Sequence, residues 1–197
     1  MTELNKLMDY KKPIYAAIET CGGSRWITPS KQRHPYPYEI RCEVWMAIIH
    51  GAKGIVYFTH SWVEPSEIGN LNSKLKRGQS KYYTQFGVPP ENQKELKKIN
   101  AQITRLTPVI YSPDVNGKVS VESNGEIKIM VKEYENKMYI FAVNMKMKND
   151  EATFKVSGLK TGTKINVDEE NRFIEAKDGE FTDKFSEYAV HIYVVSK

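Results

Sequence analysis

The first half of the chain alternates between strand-like and helix-like hydrophobic patterns. Residues 13–20 are apolar on both faces, which is typical of a strand in a parallel sheet that helices cover. A helix begins at Pro37 and ends at Gly51, which suits a left-handed cap. Its apolar face consists of residues at helical spacing: Ile40, Val44, Ala47 and Ile48. Residues 55–59 form another apolar strand, so the order predicts a βαβ unit with a right-handed crossover.

Two long connections and a second helix complete this half. Residues 21–37 and 60–90 follow the carboxyl ends of the two strands, whereas only a short turn enters the second strand. Barrels and open α/β sheets place their binding loops in this way. Loops of this length in a compact domain are usually functional. A helix then begins near Glu91 and ends before Pro108.

The second half of the chain alternates with period two. Residues 126–144 contain two alternating segments around the turn “ENK”, which predicts a β-hairpin. The alternation continues to the C-terminus and gives about eight short strands at the spacing of a small antiparallel sandwich. We therefore expect an α/β segment over residues 1–110 and an all-β segment over residues 111–197.

Composition excludes several classes of partner. The chain of 197 residues has a net charge of +5, but its basic residues form small separate clusters without the basic run of a nucleic-acid arm. No apolar stretch approaches the length of a membrane span, and the N-terminus lacks the apolar core of a signal peptide. We expect a chain that binds neither nucleic acid nor a membrane.

Cysteine and histidine spacing predicts no metal site. Cys21 and Cys42 are too few for a disulfide framework in a chain of this length, and the sequence leaves open whether they pair. The four histidines stand apart from the cysteines and from one another, without the spacing of zinc ligands. We expect no metal and no cofactor.

Four stretches occur in a linked order: “PIYAAIET”, “YEIRCEVWMAIIHGAKGIVYFTHSW”, “ELKKINAQITRLTPVIYSPD” and “GTKINVDEENRFIEAKDGEFTDKFSEYAVHIYVV”. They resemble, in turn, barrel strand seven, helix seven with strand eight, helix eight, and the closing strands of a small β-domain. Together they resemble the C-terminal part of a retaining (β/α)₈-barrel glycoside hydrolase of clan A. The resemblance implies a partial barrel holding its last two βα units, followed by the β-sandwich. Barrel strands one to six have no counterpart, so we expect a fragment.

The resemblance assigns the catalytic nucleophile to Glu19, at the tip of the first strand. Active sites of such barrels lie at the carboxyl ends of the strands, where we expect a partly desolvated carboxylate. The alternative is a strand-end ion pair with Arg25 or Arg41, because ion pairs also gather at strand ends. The general acid/base of such enzymes comes from barrel strand four, which has no counterpart here.

Five residues are candidates for contacting a sugar. Trp62 follows the second strand and offers an apolar ring face with a polar handle, although it could instead pack under the loop. Trp26 is equally compatible with a pocket and with the core. The residues that could donate to sugar hydroxyls, each also explained as surface or packing residues, are Arg25, His34 and His60.

Other acidic and aromatic residues fit structural roles better. Glu64 and Glu67 lie in the long loop, which would not hold a catalytic acid at a fixed distance, so we interpret them as solvated. Four aromatic residues of the second half could form a sugar-binding strip, but alternating aromatics usually belong to a sandwich core: Tyr139, Phe141, Tyr188 and Tyr193.

The sequence therefore predicts the C-terminal part of a glycosidase that acts on an oligo- or polysaccharide and is inactive by itself, because its acid/base half is missing. Its partner would be the missing N-terminal barrel portion or a second copy of the chain. The sugar, the linkage and the compartment stay open, and the resemblance is compatible with a secreted or periplasmic parent enzyme. The alternative is a non-enzymatic carbohydrate-binding or docking module built on the β-sandwich.

Overall fold

The computed structural model describes residues 6–7, 11–77 and 85–196. The first half of the described chain is a pair of parallel strands packed against helices. Its elements, in chain order, are β1 (Tyr15–Glu19), α1 (Pro37–Ile49), β2 (Gly54–Phe58), β3 (His60–Ser61), β4 (Gln85–Phe86) and α2 (Pro90–Ile110). β1 and β2 pair from Tyr15 opposite Gly54 to Glu19 opposite Phe58. β3 and β4 form a short antiparallel pair, and residues 78–84 of the predicted long loop lie outside the described residues.

Local signals explain both ends of α1. Pro37 occupies the first helical turn, and the Glu39 carboxylate accepts a hydrogen bond from the Tyr36 backbone N–H at 2.8 Å. Gly51 follows the helix with φ of 92°, a left-handed conformation that glycine adopts without steric cost. The helix therefore begins where the sequence predicts and stops just before the predicted glycine.

The predicted end of α2 was wrong. The helix continues through Pro108 to Ile110. A proline removes only one backbone donor, and the last turn is closed beyond it by the Tyr111 N–H, which donates to the Thr107 carbonyl at 3.0 Å. Val109 is buried in the core, so tertiary packing keeps this turn helical.

The second half forms two antiparallel sheets, which we call the two-sheet unit. Its strands are β5 (Val119–Ser123), β6 (Ile127–Tyr134), β7 (Lys137–Asn144), β8 (Asp150–Val156), β9 (Lys164–Val167), β10 (Arg172–Glu175), β11 (Glu180–Phe185) and β12 (Val190–Ser196). One sheet has the order β10-β9-β12-β7-β6, and the other has the order β11-β8-β5. The hairpin between β6 and β7 turns at Glu135 and Asn136, which both have positive φ and fit a primed turn. The mixed α/β and antiparallel β content agrees with the predicted fold class.

Aromatic side chains fill the space between the two sheets. Phe154 of the smaller sheet stacks on Phe181 at 4.8 Å between ring centroids, and Tyr193 of the larger sheet lies 5.0 Å from Phe154. All three side chains are buried. Tyr193 therefore lies in the core, as does Phe141, and neither can belong to an exposed sugar-binding strip.

The helices of the first half pack on the outer face of the larger sheet. β7 alternates between the two sides, because Ile140 and Ala142 face the smaller sheet while Phe141 and Val143 belong to the cluster with the helices. Trp45 of α1 stacks on Phe141 with 5.6 Å between ring centroids, and both side chains are fully buried. The two halves of the chain thus share a hydrophobic core.

One face of the β1–β2 pair is open in the described chain. Ile18 is buried against the helix layer, whereas Tyr15 is 64% exposed, Val56 53% and Phe58 41%. Among the described residues, one face of β1 is therefore covered, although the sequence of the strand is apolar on both faces. Within the part of the chain that the structure describes, helices cover one side of the β1–β2 pair and no further strand pairs with either of its edges.

The structure answers one question that the sequence left open, namely whether the two cysteines pair. Cys21 and Cys42 are both buried and free. Burial, together with the nearby Glu19 carboxylate, raises the pKa of Cys21 to about 11.

Among the described residues no helix is long and apolar enough to cross a membrane, and no group of three potential metal ligands is present.

Candidate functional site

Glu19 is the last residue of β1 and lies on the open face of the strand pair. It is exposed in the described chain. Paired residues of parallel strands point to the same side of a sheet, so Glu19 and Phe58 are neighbours on this face. The carboxylate therefore stands beside an aromatic ring at the carboxyl end of the strands.

The ion pairs considered as an alternative for Glu19 are not formed. Arg41 lies 3.7 Å from Glu95 and donates to the Gln102 side-chain oxygen at 2.6 Å. Arg25 lies over the ring of Trp26, with 5.5 Å from its guanidinium carbon to the ring centroid. Within the described residues, neither arginine neutralises Glu19.

Three aromatic side chains form a compact group next to Glu19. The Phe58 and Trp62 rings stack with 5.6 Å between centroids, and the His60 ring meets Trp62 edge-on at 4.7 Å. Trp62 is partly buried, and Phe58 is partly exposed. We call Phe58, His60 and Trp62 the aromatic group. Rings of this kind offer an apolar face to a sugar while keeping polar edges available.

Gln32 holds the loop that follows Glu19. Its side-chain oxygen accepts from the Gly23 N–H at 2.7 Å, and its amide nitrogen donates to the carbonyls of Ser24 and Ile27, both at 2.8 Å. Gln32 is itself buried, so these bonds are shielded from water. These three hydrogen bonds fix the base of the loop, whereas Trp26, at the tip of the loop, is 66% exposed.

The glycines after Glu19 allow the loop to pack directly against β3. Gly23 has φ of 117°, and a Cβ atom there would clash with the Ser61 hydroxyl. The Trp62 N–H donates to the Gly23 carbonyl at 2.9 Å. Gly23 is therefore needed to bring the loop against the strand that leads to Trp62.

His34, a candidate sugar-binding residue, also makes a hydrogen bond to the loop that follows Glu19. Its Nδ1 accepts a hydrogen bond from the Gly22 N–H at 3.1 Å. Burial lowers the pKa of His34, although the nearby Glu91 carboxylate opposes this shift. The neutral ring accepts at Nδ1 and therefore carries its proton on Nε2, where it could serve as a donor.

Three of the predicted site residues, Glu19, His60 and Trp62, thus lie together at one edge of the sheet. Arg25 and Trp26 lie at the tip of the neighbouring loop. Sequence reasoning missed Phe58 and Gln32. Phe58 could have been found from the period-two alternation of its strand, which sets it on the side opposite Tyr57. Gln32 carries no sequence signal, because its three partners are backbone atoms that only the folded loop brings together.

Neither a protein-family model nor a curated protein sequence matches this chain. Several solved structures share its fold. An alpha-amylase from Geobacillus thermoleovorans, complexed with acarbose, matches 100% of this chain with a TM-score of 0.63 and 13% identity. AmyP in complex with maltose matches 80% with a TM-score of 0.51 and 11% identity, and an Anoxybacillus alpha-amylase matches 81% with a TM-score of 0.50 and 15% identity.

At the level of fold, these matches confirm the resemblance to part of a glycoside hydrolase. The chain covers 42% of the Geobacillus enzyme, 34% of AmyP and 32% of the Anoxybacillus enzyme. It therefore spans about a third to two fifths of the structures that it matches. At these low identities the likeness establishes the fold, and the activity has to be argued from the site.

Proposed function

We propose that this chain is the C-terminal part of a retaining glycoside hydrolase, with Glu19 as its nucleophile. The observation that carries the proposal is the position of the Glu19 carboxylate beside the aromatic group at the carboxyl end of β1 and β2. In this proposal residues 1–110 supply the last two βα units of a barrel. Residues 111–197 supply its C-terminal β-sandwich, which corresponds to the two-sheet unit.

In a retaining mechanism Glu19 attacks the anomeric carbon and forms a covalent glycosyl-enzyme. A second carboxyl group protonates the departing oxygen and then removes a proton from the water that releases the sugar. The two carboxyl groups have to lie about 5–5.5 Å apart. Trp62 and Phe58 would stack on the sugar, while His60, His34 and the Arg25–Trp26 loop tip would border the site.

This chain offers no suitable second carboxyl group among the described residues near Glu19. Glu64 is exposed, and Glu67 lies in a short 3₁₀ turn with one carboxylate oxygen buried and without a partner. Glu43 on α1 has its pKa raised by burial and also by Glu19 and Glu39. It projects from the helix layer, whereas Glu19 is on the opposite, open face of the strand pair. Since the described residues near Glu19 supply no such group, the proposal places the acid/base outside this chain.

The open face of the strand pair supports the same conclusion. Tyr15, Val56 and Phe58 expose apolar surface next to two strand edges that no other described strand pairs with. Apolar faces and free edges of this kind favour pairing with further strands. We propose that the remaining βα units cover this face and that the complete assembly acts on an oligo- or polysaccharide.

The test uses both this chain and the longer reading frame obtained by sequencing the DNA upstream of its first codon. We expect the chain alone to leave a panel of aryl glycosides intact. The extended protein should hydrolyse one of them, and Glu19→Ala should lower kcat by about 10⁴-fold or more. Azide should partly restore turnover of the Glu19→Ala variant by replacing the lost nucleophile, whereas the matched control Glu64→Gln should keep full activity.

Two results would overturn the proposal. One is hydrolysis by the chain alone that disappears in its Glu19→Ala variant, since this would mean that the chain contains a complete site. The other is an active extended protein in which Glu19→Ala leaves kcat unchanged. The first result refutes the requirement for an outside acid/base, and the second refutes the role of Glu19.

A further inference from the structure

A buried asparagine of α2 reaches the end of β1. Asn92 lies in the first turn of α2 and is fully buried. Asparagine is seldom fully buried, because its amide then has to find hydrogen-bond partners away from water. The partners of Asn92 therefore indicate why α2 carries a polar residue at a buried position.

Both partners of Asn92 lie at the ends of the loop that follows Glu19. Its Nδ2 donates to the carbonyl of Thr20 at 3.1 Å and to the carbonyl of Pro35 at 2.9 Å. Both acceptors are carbonyl oxygens, so the nitrogen of the amide has to face them. A single side chain from α2 thus closes the loop of residues 21–34 at its base.

Thr20 follows Glu19 directly, and its backbone and side chain are both bonded. Its N–H and its hydroxyl donate to the Phe58 carbonyl at 3.2 and 2.8 Å, while its own carbonyl accepts from Asn92. Thr20 is fully buried, so these bonds are shielded from water. The exposed side chain of Glu19 is therefore carried by a backbone that is held on its C-terminal side as well as within β1.

Gln32 and Asn92 hold different parts of this loop. Gln32 bonds backbone groups inside the loop, from Gly23 to Ile27, whereas Asn92 bonds the two ends. We expect loss of Gln32 to loosen the tip of the loop, and loss of Asn92 to loosen the end of β1 next to Glu19.

We propose that Asn92 is a positioning residue for Glu19. It acts through the Thr20 carbonyl, one residue beyond the carboxylate that reacts. This inference rests on the proposed function, because it takes Glu19 as the nucleophile. A displacement of about 1 Å in a reacting group can cost roughly 100-fold in rate, so a hydrogen bond to the residue next to the nucleophile should affect turnover.

Asn144 provides a matched control in the same chain. It is also fully buried, and its Nδ2 donates to two backbone carbonyls of the two-sheet unit, those of Lys148 at 2.7 Å and Ser186 at 2.9 Å. Its side-chain oxygen also accepts from the Lys146 N–H at 3.0 Å. Replacement of Asn144 by alanine should therefore cost at least as much stability as the same replacement of Asn92.

The first measurement is the steady-state kinetics of the extended protein on the aryl glycoside that it hydrolyses. Asn92→Ala should lower kcat about 10- to 100-fold and change KM by less than about threefold, because the aromatic group that contacts the sugar is retained. Asn144→Ala should keep kcat within about twofold of the unmodified protein. The assay temperature is one at which circular dichroism shows both variants to be folded. Asn92→Ser keeps one donor, should lower kcat less, and replaces Asn92→Ala if that variant does not fold.

The second measurement needs no activity and uses the chain as it is. Native-state hydrogen exchange compares the Thr20 amide with the amide of Val156, which donates to the Gly179 carbonyl at 2.9 Å in the two-sheet unit. In Asn92→Ala the Thr20 amide should exchange at least about tenfold faster relative to that of Val156, because the end of β1 opens locally. Asn144→Ala should leave this ratio unchanged.

The outcomes separate this inference from the proposed function. An active extended protein that keeps its kcat in Glu19→Ala refutes the proposed function, and the role of Asn92 in turnover fails with it. If Glu19 is essential but Asn92→Ala keeps kcat, or Asn144→Ala loses as much, the inference about Asn92 fails alone. An unchanged exchange ratio for Thr20 in Asn92→Ala also overturns it, since the end of β1 would then be held without this side chain.

Discussion

Phe141→Ala tests whether the helix layer and the two-sheet unit unfold together. Phe141 lies on the face of β7 that α1 covers, where it is fully buried against Trp45. If the two-sheet unit folded without the helices, this side chain would be exposed to water and its truncation would be nearly neutral. The cost of the substitution therefore measures the packing of the two halves on each other.

The expected loss is large. Truncation of a fully buried phenylalanine lowers the free energy of unfolding by about 3–5 kcal/mol, which is a substantial fraction of the roughly 5–15 kcal/mol available to a domain. Stacking on Trp45 adds a pairwise energy of about 0.5–1.5 kcal/mol, which a double-mutant cycle with Trp45→Ala can isolate. The matched control is Phe173→Ala in the same sheet, which is 66% exposed and should change stability by less than about 0.5 kcal/mol.

Native-state hydrogen exchange is the decisive assay. Amides of β8, such as that of Phe154, lie in the smaller sheet and far from the helices, yet should lose protection with the whole chain. A loss of 3–5 kcal/mol corresponds to about two to nearly four orders of magnitude in their protection factors. Unchanged protection in β8, together with lost protection in α1, would refute cooperative unfolding and show that the two-sheet unit is stable by itself.

Two further predictions concern stability. Gly23→Ala should lower the free energy of unfolding by about 1–3 kcal/mol more than Gly117→Ala. Both glycines have positive φ, but only a Cβ atom at position 23 would clash, with Ser61. Equal melting temperatures of the two variants would contradict this prediction. In Asp183, burial raises the pKa, but the hydrogen bonds from Arg172 and Tyr193 outweigh it and lower the pKa below its ordinary value. The stability that this carboxylate contributes is therefore present above about pH 4 and is lost as the pH falls through the lowered pKa. Melting curves from pH 7 down to about pH 2 should fall more steeply for the unmodified chain than for Asp183→Asn, and parallel curves would show that the Asp183 network contributes nothing.

Sequence patterns predicted the elements whose ends are determined locally. Pro37 and Gly51 bracket α1 because a proline fits the first turn and a glycine fits the left-handed residue after the last. Pro108 misled the prediction of α2, since the buried side chain of Val109 holds a turn that local rules would end. Periodicity located Glu19 at the end of a strand, but it could not show that only one face of that strand is covered. Long-range packing decides that property, and it also assembles Gln32 with the three backbone groups that it bonds.

The packing of α1 explains how Glu19 can keep its position on so small a piece of sheet. Among the described strands β1 is bonded to β2 alone, and two strands do not form a stable sheet without further packing. α1 covers one side of β1 through Ile18 and, through Trp45, rests on Phe141 of the larger antiparallel sheet. The two-sheet unit therefore anchors the helix, the helix anchors β1, and the Glu19 carboxylate projects from the opposite face. We infer that the two-sheet unit positions Glu19, the proposed nucleophile, from a distance. If the proposed function holds, Phe141→Ala in the extended protein should lower kcat at temperatures where that variant still folds.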